Sequence, residues 1–137
     1  MTAASNYTEN LALDYLLTNA SVTRPTAWYL ALFTNTSGNA ATNLEAGTLT
    51  DEVSTSGTGY GRKTIAFNDA VSGTCSSDGT VTFNTATASW GTITHVAVMT
   101  AATAGQVLFY GAVTTSKTID NGDTFQVTDG NLTISLA

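Results

Sequence analysis

One histidine and one cysteine, His95 and Cys75, are the side chains with which this chain could pass a proton or attack an electrophile near neutral pH. A general base needs a group that orients it and a substrate within reach. His95 stands alone in the strand-like run TITHVAVM, where it alternates out of register with Ile93 and is expected to face polar surroundings or an interface. Cys75 lies in SGTCSSDG, read here as a loop, and no basic residue near it in sequence favours the thiolate. With a single cysteine, neither an internal disulfide nor a cysteine-based zinc site can form.

Asp120 and Asp123 flank Asn121-Gly122 in IDNGD. Calcium takes six or more oxygens in a spaced loop, and here Asp-Asn-Gly reads as ordinary turn chemistry. The run GTGYG at 57–61 matches none of the patterns GxGxxG, GxxxxGK or GxSxG. It also precedes a strand, whereas phosphate-binding loops precede a helix. The reading is therefore non-enzymatic, with no catalytic, cofactor-binding or metal residue assigned. A binding surface needs no such constellation: Trp90, Tyr60 and Tyr110 are candidates for glycan contact, because amphipathic rings stack on sugar faces. Trp28 is assigned to the core.

Composition narrows the partners. The chain has 137 residues, 14.1 kDa, enough for one domain. Acidic residues outnumber basic ones 10 to 4, for a net charge of −6. Arg24, Arg62, Lys63 and Lys117 are too few and too scattered to bind nucleic acid or an anionic membrane. No apolar run approaches the ~20 residues of a membrane span, and the first residues lack the pattern of a signal peptide. A soluble protein folded in a cytoplasm is expected.

The elements follow from patterning. The 28 threonines, with 12 glycines and a single proline, suit pleated strands and turns. Residues 5–19 read as the one helix, with Asn6 three before Glu9 in capping-box spacing and Leu13, Leu16 and Leu17 on one face. In TAWYLALF at 26–33, Trp28, Leu30 and Leu32 share one face and Tyr29, Ala31 and Phe33 the other. Both faces are apolar, so both must be covered. The sandwich core covers one, and the helix or another subunit is expected over the second. Leu13, Leu16, Leu17, Tyr29 and Phe33 are thus the interface candidates. Residues 34–58 show little periodicity and read as a long loop, or an arm that orders on a partner. Further strands are expected at 60–67, 79–83, 93–100, 106–113, 124–128 and 131–136, with turns at Asp78-Gly79, Ala104-Gly105, Asn121-Gly122 and Asp129-Gly130.

The expectation is an all-β fold: an antiparallel β-sandwich, jelly-roll-like, with one N-terminal α-helix. The helix (1–20) belongs to the same domain as the sandwich (21–137), which carries the long loop at about 34–58.

Five blocks carry a resemblance: NYTENLALDYLL at 6–17, WYLALFT at 28–34, GYGRKTIAF at 59–67, TASWGTITHVAVM at 87–99 and FYGAVTTSKTIDNGDTF at 109–125. Together they resemble a family of small tailed-bacteriophage virion proteins of the tail-fibre or minor-tail kind. The likeness covers nearly the whole chain and is weakest at 35–58. Its motifs are structural, so it implies no active residue. It implies a virion component assembled in the host cytoplasm, an external accessory that is fibre-like or decorates the capsid. The implied partners are other virion proteins and further copies of the chain, with a trimer favoured. The alternative is a carbohydrate-binding receptor module contacting a host surface glycan.

Overall fold

The computed structural model describes residues 3–136. Ten strands and two helices run in the order β1 (Ala3–Ala4), α1 (Asn6–Leu17), β2 (Tyr29–Phe33), α2 (Ala40–Glu45), β3 (Lys63–Thr64), β4 (Ala66–Phe67), β5 (Thr74–Asp78), β6 (Val81–Thr82), β7 (Gly91–Met99), β8 (Val107–Ile119), β9 (Gln126–Val127) and β10 (Thr133–Ser135). A five-stranded antiparallel sheet has the order β1-β8-β7-β2-β3. Two smaller antiparallel sheets, β10-β5-β4 and β6-β9, pack against one of its faces. The protein is an all-β sandwich with an N-terminal helix.

The main core lies between these layers. Leu30, Leu32, Val96 and Val98 of the large sheet meet Val81, Phe125 and Ile134 from across the sandwich. Alternation along β2 sends Ala31 and Phe33 to the opposite face. There they join Ala97, Met99 and Val107 beneath Leu44 of α2. The second face of β2 is thus covered by the chain's own 34–58 segment. The sequence reading expected the N-terminal helix or another subunit there; the chain's own segment takes that place instead.

That segment is ordered by local polar contacts. Asn35 Oδ1 accepts the Ala40 N–H at 2.9 Å and so supplies the cap that Asn39 does not. The helix closes at Gly47, whose φ of +80° favours glycine. The Thr34 N–H donates to the Asp51 carbonyl at 2.9 Å and the Val53 N–H to the Leu32 carbonyl at 3.1 Å, which lays 51–53 along the edge of β2.

α1 starts one residue earlier than the capping-box spacing placed it. Ser5 is the cap, and its Oγ accepts the Thr8 N–H. Ser5 Oγ also donates to the Val107 carbonyl, and Thr8 Oγ1 donates to the Leu108 carbonyl at 2.7 Å. These two carbonyls sit beside a register shift between β7 and β8. The bulge therefore presents acceptors to the first turn of α1, and β1 pairs alongside with Phe109 and Tyr110. The helix ends at Leu17, where the Thr18 N–H bonds the Asp14 carbonyl.

Two further strand assignments change. TCSSD, read as loop, is β5, held between β4 and β10. β8 runs on to Ile119, because its threonine-rich end pairs with Gly91, Thr92 and Ile93.

Candidate interaction surfaces

The aromatic residues proposed for glycan contact are distributed between the core and its margin. Trp90 is 4% exposed, and its Nε1 donates to the Thr58 carbonyl at 2.8 Å. Tyr60 is also buried, stacked on Phe83 at 6.1 Å and edge-on to Trp90 at 5.4 Å. Neither ring presents a face to a ligand, which corrects their assignment as glycan contacts. The GTGYG run explains their placement. Gly59 has a φ of +73°, and a Cβ there would come within 3.1 Å of the Thr85 carbonyl oxygen. Glycine lets the chain turn tightly against 85–87 and deliver Tyr60 inward. Tyr110 is half-buried, with its hydroxyl 3.5 Å from a Glu45 carboxylate oxygen. Burial first, and the Glu45 charge second, push its pKa up.

The Tyr60 hydroxyl takes part in a buried polar junction. It donates to Glu52 at 3.1 Å and accepts the Leu32 N–H at 3.0 Å. Burial and then Glu52 raise its pKa far above the usual tyrosine value. Glu52 also binds Arg62 through two 2.7 Å bonds, while Arg62 Nη1 reaches the carbonyls of Ala101 and Ala104. Burial opposes the charge on Arg62, but Glu52 overcomes it and holds the guanidinium above its ordinary pKa.

The residues able to do chemistry do not converge. His95 is half-buried beside Thr94, 2.9 Å from its hydroxyl, on a strand whose register shifts between Ile93 and His95. Regular alternation would put residues 93 and 95 on one face; the shift instead turns Ile93 into the sandwich core and leaves His95 on the opposite face with Phe33, its cross-strand partner. Burial lowers the imidazole pKa and the Asp51 charge opposes this. Asp51 is buried and engaged: it accepts both the N–H and the hydroxyl of Ser37, and Ser37 is the first cause of its lowered pKa. Cys75 is half-buried opposite Ile134. Asp123 Oδ2 accepts the Asp120 N–H at 2.9 Å, closing their turn. Among the described residues, no three His, Cys, Asp or Glu side chains are grouped so as to hold a metal ion. No described helix is long and apolar enough to cross a membrane.

The interface candidates divide. Phe33 is 1% exposed and Tyr29 half-buried, both packed in the cluster under α2, so Phe33 is withdrawn as a contact surface. Leu13, Leu16 and Leu17 stand out from the body, 55%, 73% and 76% exposed, with Tyr15 beside them. Sequence reasoning missed a second apolar feature. A groove of about 430 Å³ is lined by Trp28, Phe67, Phe109, Ile134 and Leu136, with Arg24 at its rim. Its walls come from the segment just before β2 and from β4, β5, β7, β8 and β10, so no local pattern announces it. A polar hollow of about 610 Å³ beside Trp90 and Gly91 is lined chiefly by threonines, and its carboxylates, Asp51 and Glu52, are already engaged.

No curated protein matches the chain. A family model described as podophage GP4 fiber I protein gp80 matches residues 3–135. The match spans every strand and both helices described above, and the chain belongs to this family of phage fibre proteins.

Proposed function

We propose that the chain is a non-enzymatic, external accessory module of a tailed-phage virion, fibre-like or decorating the capsid, assembled from identical copies with a trimer as the favoured order. Membership of a phage fibre family supports a structural role in the virion. The observation that carries self-association is the leucine stripe at the end of α1. Leu13, Leu16 and Leu17 are exposed on a chain with only 10% charged residues. A contiguous apolar face of that kind marks a contact surface. Closed symmetry is the usual arrangement of identical copies.

The carbohydrate-binding alternative loses ground, since Trp90 and Tyr60 are core residues. A reconstruction of the intact virion tests the placement. The domain is expected on the particle exterior in symmetric clusters, on a fibre or on the capsid surface. Density for the chain inside the capsid, or as isolated single copies, contradicts the proposal.

A further inference from the structure

The exposed large hydrophobic residues among those described are Leu13, Tyr15, Leu16, Leu17, Val71 and Leu136. They fall in two places. Four are on the outer half of α1. Leu136 lines the aromatic groove, and Val71 lies on the turn between Ala70 and Gly73, both of which line it. One place is convex and the other concave. The first turn of α1 is pinned to β8 through Ser5 and Thr8, while its leucines remain exposed, so they do not fill the groove of their own chain.

Charge distinguishes the two surfaces further. Glu9, Leu13, Leu16 and Leu17 follow one another at i, i+4, i+7 and i+8, a single stripe of the helix. α1 carries Glu9 and Asp14 and no cation. At the groove rim the exposed Arg24 guanidinium lies 5.9 Å over the Trp28 ring, and among the described residues it has no carboxylate partner. Asp69 also lines the groove, so the charge match is local to the rim: the leucine-faced helix and the aromatic groove are complementary in shape and polarity, and Glu9 matches the unpaired Arg24.

We propose that the occupant of the groove is α1 of a second copy of the chain. Leu13, Leu16 and Leu17 of that copy seat against Trp28, Phe67 and Leu136, and its Glu9 faces Arg24. This deepens the self-association reading above and rests on it. The contact joins one patch to a different one, so it closes as a ring when each copy passes its helix to the next, and as a two-fold pair when two copies exchange helices. In the favoured trimer each copy gives its helix to one neighbour and receives a helix from the other.

Disulfide trapping on the full-length protein tests the pairing. Leu17→Cys and Leu136→Cys are made separately, each with Cys75→Ser, and are mixed under mild oxidation. Both positions are exposed, so neither change strains the fold. The expected product is the mixed Leu17–Leu136 disulfide, with little of either like-with-like product. Charge exchange gives a second readout: Glu9→Arg and Arg24→Glu each weaken association a few-fold, the scale of a rim ion pair, and mixing the two variants restores it. An oligomer of normal mass that yields only Leu17–Leu17 disulfides overturns the groove pairing and leaves self-association through α1 standing. A monomer with no cross-link at all overturns both. An oligomer whose groove takes up host polysaccharide, with no mixed disulfide, also contradicts the proposal.

Discussion

Arg62 and Glu52 meet side-on, Nε to Oε1 and Nη2 to Oε2, both at 2.7 Å, with the arginine side chain 3% exposed. The pair joins parts of the chain that are remote in sequence. Glu52 sits in the segment bridged to Phe33 at the edge of β2. Arg62 follows the glycine-rich turn, and its remaining nitrogen holds two carbonyls of the turn between β7 and β8. Its planar fork makes four bonds in fixed directions, which a lysine could not reproduce.

Breaking this junction should be costly. Glu52→Gln leaves the buried guanidinium without a countercharge, and removing one partner of a buried pair typically costs about 3–5 kcal/mol. The expected outcome is a lower urea midpoint with little change in slope. An unchanged midpoint contradicts the view that the pair is structural.

Trp90 offers a test of the core against a glycan surface. Its ring is buried, edge-on to Tyr60 and Phe83, with its N–H satisfied. Trp90→Ala should cost about 3–5 kcal/mol, the range for truncating a buried aromatic. In the unmodified protein, polysaccharide should leave Trp90 emission unaltered. A folded Trp90→Ala variant of normal stability that has lost polysaccharide binding contradicts this account.

Asp51 gives the fold a pH dependence with a defined sign. Its folded pKa is depressed, chiefly by the Ser37 hydroxyl. A carboxylate of this kind adds stability above its unfolded pKa, about 3.9, and loses it as pH falls through the lower folded value. As pH falls below that unfolded value the contribution should shrink, and as pH passes the lower folded value the Asp51–Ser37 tie should release and loosen 34–50. Amide exchange at 40–47 should accelerate there before it does in β7. Asp51→Asn should flatten that acid dependence; if exchange at 40–47 stays as pH-dependent in this variant, the tie is not its source.

The fold class was legible because its signals are strong. Alternation in 26–33 defined β2, and Ala104-Gly105 lies where the chain reverses between the paired β7 and β8, with a Gly105 φ of +73°. α2 was not legible, because AATNLE has no cap of its own. Its stability comes from Asn35, from the Asp51–Ser37 tie and from Leu44 packing on the far face of the sheet. β5 was hidden for a similar reason. Its polar TCSSD has weak strand propensity and forms because β4 and β10 flank it, with buried Ser77 accepting the Leu132 N–H through its Oγ. The leucine stripe was visible as a helical period. The groove was not, because its walls are brought together from distant strands. Aromatic residues gave the least direction, since Trp28 and Trp90 have the same chemistry and only tertiary packing leaves the first half-exposed and buries the second.

Self-association through α1 is the central claim, and the mass of the full-length protein in solution tests it most directly. Light scattering at tens of micromolar should give roughly 42 kDa, three times the 14.1 kDa chain, if the closed assembly is a trimer. Leu13, Leu16 and Leu17 are exposed, so changing all three to serine should leave the fold intact. That variant should run near 14 kDa, with a dissociation constant raised more than about 30-fold, as for loss of an interface hot spot. A stable monomer for the unmodified chain, or an assembly that persists in the triple-serine variant, contradicts the account.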